Sequence, residues 1–166
     1  MPATPEGSFG LDTAAHVGIS VSDLDRSVAF YRALTGLEPA VDNESMKGQG
    51  FAHAQGLPVS KLRYATFHLS NLGIDLIEFE DPVGAPGQSA ANRPGSMHLC
   101  FQVDDLRSVH TRMREAGYDF LGEPYTFAAD EVTPPDAVGT RVAYFNDPDG
   151  TNLELIEPRG GFAGPS

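Results

Sequence analysis

The feature that most constrains this chain is an internal repeat. The stretch "HVGISVSDL" begins at His16, and the stretch "HLCFQVDDL" begins at His98. Each starts with a histidine, alternates apolar with small or polar residues as a half-buried strand does, and ends in an Asp-Leu pair that can start a helix. A chain in which one supersecondary unit occurs twice is predicted to fold as two equivalent modules.

The same order of signals continues through both halves. Helix, loop and strand signals follow each histidine strand, and "IDLIE" at residues 74–78 then matches "LELIE" at residues 153–157. Ser22 or Asp23 can cap the first helix, and Asp104 or Asp105 can cap the second. The sequence therefore predicts an α+β fold of two pseudo-symmetric βαβββ modules, whose strands form a curved mixed sheet around a cavity.

The boundaries of these modules follow from changes in composition. We expect the first βαβββ module at residues 14–80 and the second at residues 96–158. A segment rich in Pro and Gly at residues 81–95 is predicted to link them. Residues 1–13 and 159–166 carry little apolar content and are predicted to be flexible ends.

Charge and composition exclude several classes of protein. The 166 residues are 40% hydrophobic and carry a net charge of −12, which disfavours nucleic acid and anionic membranes as partners. No apolar run reaches the length of a membrane helix, and the N-terminus lacks the pattern of a signal peptide. The single cysteine, Cys100, fits a reducing compartment, so we expect a cytoplasmic protein. The negative charge does not argue against a small-molecule substrate.

Four side chains of the repeat form a candidate metal site. His16 and His98 occupy one pair of equivalent positions, and Asp75 and Glu154 occupy another. Alternation along the strands puts these four side chains on the faces opposite the helices. Two imidazoles and two carboxylates gathered there would be costly to bury unless a cation paired them. Mixed nitrogen and oxygen ligands suit one divalent transition metal: Zn, Mn, Co, Ni or Fe.

Two motifs resemble those of the vicinal oxygen chelate superfamily: "HVGISVSDLDRSVAFY" (His16–Tyr31) and "NDPDGTNLELIE" (Asn146–Glu157). This glyoxalase-like family also includes epimerases, extradiol dioxygenases and bleomycin resistance proteins. The resemblance covers roughly residues 14–158. It implies that His16, Asp75, His98 and Glu154 are the metal ligands. Asp75 departs from the Glu or Gln that many isomerases of the family carry, so it ligates directly, through water, or not at all.

The resemblance implies a metal-dependent isomerase or epimerase that acts through a metal-stabilised enolate. Glu154 is the expected catalytic base, as metal-bound glutamates are in related lyases. The substrate is expected to be a small carbonyl compound, such as an acyl-CoA, a sugar or a cyclitol ketone. The resemblance also implies a homodimer.

Two alternative functions stay open at this point. If Asp75 is not a ligand, His16, His98 and Glu154 form the two-histidine, one-carboxylate triad of Fe(II) oxygenases, which favours a ring-cleaving dioxygenase of the extradiol type. The other alternative is a drug-sequestering resistance protein that performs no catalysis and binds without metal.

The other polar residues of interest are not predicted to be metal ligands. His68 and His110 are expected to be structural or on the surface, and Cys100 is expected to line the pocket. Glu78 and Glu157 are expected to point away from the site as rim carboxylates. The segment at residues 42–61 is read as a surface loop or as a lid over the metal, with these side chains as candidates for substrate contact: Glu44, Lys47, His53 and Arg63.

Overall fold

The computed structural model describes residues 9–87 and 90–162, and the chain divides into two compact units, residues 1–86 and 87–166. The predicted flexible ends therefore lie partly outside the described residues. In residues 9–86 the first unit has four strands and two helices: β1 (His16–Ser20), α1 (Leu24–Thr35), β2 (Val41–Lys47), α2 (Gln49–Ala54), β3 (Lys61–His68) and β4 (Gly73–Asp81).

The second unit repeats the pattern, and its described residues contain no counterpart of α2. Its elements are β5 (His98–Gln102), α3 (Leu106–Glu115), β6 (Tyr125–Thr126), β7 (Arg141–Asn146) and β8 (Asn152–Glu157). Short 3₁₀ turns lie at Pro135–Ala137 and Gly160–Phe162. The predicted α+β class, with two βαβββ modules, is confirmed.

Each unit holds one four-stranded mixed sheet with the same topology. The strand orders are β1-β4-β3-β2 in the first unit and β5-β8-β7-β6 in the second. The histidine strand runs parallel to the last strand of its own module, while the remaining pairs are antiparallel. Gly18 pairs with Asp75, and Cys100 pairs with Glu154. This register sets each candidate carboxylate beside the strand that carries the histidine of its own unit.

The helices cover one face of each sheet. Helix α1 packs against β3 and β4, and buries Leu24, Val28 and Tyr31. Helix α3 packs against β7 and β8 and buries Leu106. Asp23 caps α1 as one of the two expected residues, and the expected end at Gly36 adopts the left-handed conformation with φ 71°.

Glu78 and Glu157 are helix anchors, so their interpretation as rim carboxylates is wrong. Glu78 Oε2 accepts the backbone N–H of Leu24 at 2.9 Å, and Glu157 Oε2 accepts that of Leu106 at 3.1 Å. Each carboxylate thus binds the first residue of the helix in its own unit, where unpaired N–H groups and the helix dipole favour negative charge. Both residues do point away from the candidate ligands, as expected.

Among the residues that the structure describes, no helix is both long enough and apolar enough to cross a membrane.

Candidate metal centre

The first candidate pair lies on β1 and β4. His16 Nε2 is 3.5 Å from Asp75 Oδ2, and the two side chains are 54% and 21% exposed. Gly73 lies beside His16 in the strand register, and a Cβ added there would be 3.0 Å from His16 Cβ. Glycine at residue 73 therefore leaves room for the imidazole to turn towards the carboxylate.

The second pair repeats this arrangement on β5 and β8. His98 Nε2 is 2.9 Å from Glu154 Oε2. The Glu154 side chain is only 7% exposed, whereas that of His98 is 49% exposed. The negative charge of the buried carboxylate is accessible only on the side where the exposed imidazole lies. A cation can bind on that side.

The geometry of each pair fits neighbouring ligands on one metal ion. Metal bonds of about 2.0–2.2 Å to nitrogen and oxygen place adjacent ligand atoms about 3 Å apart. The distances of 2.9 and 3.5 Å match that spacing, and the imidazole and carboxylate donors suit a divalent transition metal. Within the described part of each unit, no third His, Cys, Asp or Glu joins the pair as a metal-binding group. Binding of one cation by all four side chains stays a prediction.

A neighbouring hydroxyl holds the Asp75 carboxylate in place. Thr66 lies opposite Asp75 on β3, and its hydroxyl donates to Asp75 Oδ1 at 2.7 Å. The other oxygen, Oδ2, is the one that faces His16. The two oxygens of Asp75 are thus divided between a protein hydrogen bond and the candidate metal position.

Tyr144 lies at the candidate site, and the sequence interpretation missed it. It lies opposite Glu154 on β7, at the position that corresponds to Thr66, and its ring meets the His98 ring edge-on with the centroids 6.1 Å apart. Burial, the charge of Glu154 and a hydrogen bond to that carboxylate raise the pKa of Tyr144 to about 12. The phenol is therefore protonated at neutral pH and can donate to Glu154. The signal available in the sequence was the β7–β8 hairpin turn, which fixes the register between these residues.

Cys100 lies on the other side of Glu154. The strand register pairs the two residues, which supports the expectation that Cys100 is on the histidine face. Burial, the charge of Glu154 and a hydrogen bond to it raise the pKa of the Cys100 thiol to about 12. Glu154 therefore has a neutral thiol and a neutral phenol beside it, in addition to the imidazole of His98.

An open cavity of about 660 Å³ adjoins the first pair. Besides His16 and Asp75, its polar lining is formed by Tyr64, Thr66, His68 and Asn71. His68 is exposed as expected, but it also lines this cavity. His110 is a packing residue, because its ring lies 4.3 Å from that of Phe120.

The segment at residues 42–61 is largely structured, so its interpretation as a loop is wrong. It forms most of β2, which pairs with β3, and all of α2. Among its candidate substrate contacts, Arg63 is engaged elsewhere: its guanidinium donates to Glu78 at 2.6 Å and to Asn43 at 3.0 Å. His53 contacts the Gln49 side chain at 3.0 Å within α2. Glu44 and Lys47 are exposed on β2.

Comparison with known proteins identifies a family over most of the chain. The model of the Glyoxalase/Bleomycin resistance protein/Dioxygenase superfamily matches residues 13–155. A 2-epi-5-epi-valiolone epimerase from an Actinomyces species is 28% identical over 158 residues, which cover 92% of this chain and 83% of the relative. Several further relatives, 24–25% identical, are lactoylglutathione lyases.

Solved structures show the same fold. A glyoxalase family protein from Bacillus cereus superposes with a TM-score of 0.73 at 21% identity, and the match covers 95% of this chain and all of that one (100%). The fosfomycin resistance protein FosX from Listeria monocytogenes, complexed with Mn(II) and sulfate, gives a TM-score of 0.51 at 19% identity, with 92% and 95% of the two chains covered. Proteins with this fold thus include one that binds a divalent metal.

Proposed function

Because this chain belongs to the glyoxalase, bleomycin resistance protein and dioxygenase superfamily, we propose that it is a metal-dependent isomerase or epimerase that acts on a small carbonyl compound. The observation that carries the proposal is the repeated pair: each unit presents an imidazole nitrogen and a carboxylate oxygen 2.9 or 3.5 Å apart. The epimerase among the relatives supports this class of reaction.

The proposed metal ligands are His16, Asp75, His98 and Glu154, two from each unit. When bound, the divalent metal would supply a Lewis acid that polarises a substrate carbonyl and stabilises negative charge beside it. The donor set accommodates Zn, Mn, Co, Ni or Fe. We expect one metal ion per chain.

Glu154 is the proposed catalytic base. Its carboxylate removes the proton from the carbon next to the substrate carbonyl. Delivery of a solvent-derived proton to the opposite face inverts the carbon, and delivery of a proton to the neighbouring carbon moves the carbonyl. Because Glu154 is 6% exposed and lies beside Tyr144 and Cys100, its position is fixed and water is largely excluded from it.

Exchange of solvent deuterium tests this proposal. The Mn²⁺-loaded chain is incubated in D₂O with a panel of small hydroxylated ketones, and deuterium entering the carbon beside the carbonyl is measured by mass spectrometry. We expect exchange that the Glu154→Gln variant abolishes and that Glu123→Gln, at an exposed carboxylate, leaves intact. Exchange that survives in Glu154→Gln would remove Glu154 as the base.

A ring-cleaving Fe(II) dioxygenase is the second candidate. It draws support from Asp75, whose Oδ1 is engaged by Thr66 and whose distance from His16 is the longer of the two pairs. Without Asp75 the remaining three side chains form the two-histidine, one-carboxylate triad. Oxygen uptake by the Fe(II)-loaded chain with catechols, without deuterium exchange into ketones, would favour this candidate. Failure to bind metal under any loading condition would favour a drug-sequestering protein.

A further inference from the structure

The cavity of the first unit contains two imidazoles in a single row across the sheet. His16 on β1 and His68 on β3 both pair with Gly73 on β4. Because neighbouring strands lie about 4.8 Å apart, the backbones of the two histidines are separated by about 10 Å. Glycine leaves the space between them open, and a Cβ at residue 73 would be 3.0 Å from His16 Cβ and 3.2 Å from the Ala15 carbonyl oxygen. A six-membered ring with its substituents fits that span.

Polar side chains of the cavity are available for a ligand. In the described part of the chain, the side chains of Tyr64, His68 and Asn71 make no hydrogen bond, ion pair or ring contact with another residue. They present a phenol, an imidazole and a carboxamide, each of which can both donate and accept hydrogen bonds. Such groups match hydroxyls on a ligand.

The charge of the lining disfavours an anionic ligand. None of the described residues that line the cavity is a lysine or an arginine, and Asp75 adds a carboxylate. Phosphate groups are normally bound by Arg, Lys or clustered backbone N–H groups. A phosphorylated sugar or the diphosphate of a coenzyme A thioester would find no positive side chain here.

In the second unit, a side chain occupies the position that corresponds to Gly73. Its counterparts of Gly73 and His68 are Asn152 and Asn146, which pair with each other in the register of β7 and β8. Asn152 pairs with His98 and is 5% exposed. A side chain thus occupies the place that Gly73 leaves empty, so the open row is a property of the first unit.

From these observations we infer that the cavity of the first unit binds an uncharged polyhydroxylated ketone of about six carbons, and that His68 is a specificity residue that hydrogen-bonds one of its hydroxyls. The inference rests on the proposed function for the position of the carbonyl beside His16 and Asp75. Among the expected substrates, it favours a cyclitol or an unphosphorylated sugar over an acyl-CoA.

Ligand binding to the full chain loaded with Zn²⁺ tests the inference. The probes are 2-keto-myo-inositol, myo-inositol 1-phosphate and propionyl-CoA, and the readouts are dissociation constants and the NMR resonances of the histidine rings. We expect 2-keto-myo-inositol to bind most tightly and to shift the His68 ring. His68→Ala should weaken its binding about ten-fold, the loss of one hydrogen bond of about 1.4 kcal/mol.

Two further variants separate a binding role from a structural one. His68→Asn, which introduces the residue found at the equivalent position in the second unit, should keep part of the affinity. Asp25→Asn, at an exposed carboxylate on α1 that does not line the cavity, should leave the affinity unchanged. Tighter binding of the phosphate or the thioester, or 2-keto-myo-inositol binding that is indifferent to His68→Ala, would overturn the inference.

These outcomes are distinct from failure of the proposed function. His68-dependent binding of 2-keto-myo-inositol without any deuterium exchange would support the cavity inference and contradict the epimerase. Glu154-dependent exchange on ketones, together with binding that is indifferent to residue 68, would support the epimerase and overturn the cavity inference.

Discussion

Thr66 shows how one hydroxyl decides which oxygen of a carboxylate is presented to a cation. Its hydrogen bond of 2.7 Å holds Asp75 Oδ1, so that Oδ2 remains beside His16 Nε2. Removal of such a supporting hydrogen bond commonly weakens metal binding 10–100-fold, roughly, because the ligand loses its fixed orientation. Thr66 is therefore a positioning residue for the proposed metal site.

Substitution of Thr66 tests this role. We expect Thr66→Val, which keeps the shape of the side chain, to weaken Zn²⁺ affinity about ten-fold, and Thr66→Ser to restore most of the loss. Competition with a fluorescent chelator measures both variants. Equal affinity of the wild type and Thr66→Val would show that the hydroxyl does not position the ligand.

The Cys100 thiol gives a second test at the residue scale. The residue is exposed, so a reagent can reach it, but partial burial of the thiol and the charge of Glu154 raise its pKa to about 12. Little thiolate therefore exists at pH 8. Alkylation of the metal-free chain by iodoacetamide should therefore be slow at pH 8 and should accelerate steadily up to pH 10. Glu154→Gln removes the neighbouring charge, so it should lower the pKa of the thiol and speed the reaction. A rate that levels off near pH 8.5 in the wild type would contradict this description.

A candidate site residue could be predicted from the sequence only where both halves of the repeat carry similar residue types at equivalent positions. His16, Asp75, His98 and Glu154 are predicted as ligands because they occupy equivalent places in the two halves. Tyr144 was missed because Thr66, its counterpart, is a different residue type, so the repeat gave no signal there. It could have been found only from pairing across the hairpin.

At the scale of elements, each last strand carries carboxylates on both faces. Asp75 and Glu154 lie on the open faces, whereas Glu78 and Glu157 anchor the helices. The alternation of the strands predicted the two faces, but not the partners of Glu78 and Glu157. These partners include backbone N–H groups 54 and 51 positions away in the chain, and strand periodicity carries no information about such contacts.

Glu157 should contribute strongly to the stability of the second unit. It is 5% exposed, and Arg141 and Arg159 donate to it at 2.9 and 3.0 Å. We expect Glu157→Gln to lower the free energy of unfolding by about 3 kcal/mol, since it leaves a mostly buried arginine without its charged partner. Glu78→Gln, at the more exposed counterpart, should cost about 1 kcal/mol. Urea denaturation at pH 7 measures both, and equal losses would contradict the assignment.

The same carboxylate should make stability depend on pH. Burial pushes the pKa of Glu157 upwards, but the Leu106 N–H and the two arginines outweigh it, so the pKa lies below its ordinary value of 4.5. Its contribution is therefore complete above that pH and is lost as the pH falls through the lowered value. Between pH 5 and pH 3 the wild type should lose more stability than Glu157→Gln. Parallel losses in the two proteins would show that Glu157 is not the group responsible.

The strand in the segment at residues 42–61 could not be predicted from local sequence patterns. Its residues on β2 are mostly exposed, and the strand shifts register between Val41 and Glu44, with Asn43 at a φ of 54°. No alternation of apolar and polar residues marks such an edge strand. Pairing with β3 holds it in place, and that pairing is not encoded in the segment itself.

At the scale of the whole molecule, duplication was the most informative property of the sequence. It predicted the fold class, the order of the elements and the equivalence of the two histidine–carboxylate pairs. Whether those pairs act together on one cation depends on tertiary and quaternary arrangement, which spacing along the chain does not specify. The expected homodimer likewise stays a prediction, and sedimentation equilibrium of the metal-loaded chain would measure it.

The most direct test of the central proposal is the number of metal ions bound per chain, together with the effect of removing each ligand. Equilibrium dialysis against Zn²⁺ should give one equivalent per chain, and His16→Ala and His98→Ala should each lower the affinity of that one site at least a hundred-fold. Two independent equivalents per chain would contradict a single site built from both units. So would one equivalent whose affinity is unchanged by either substitution.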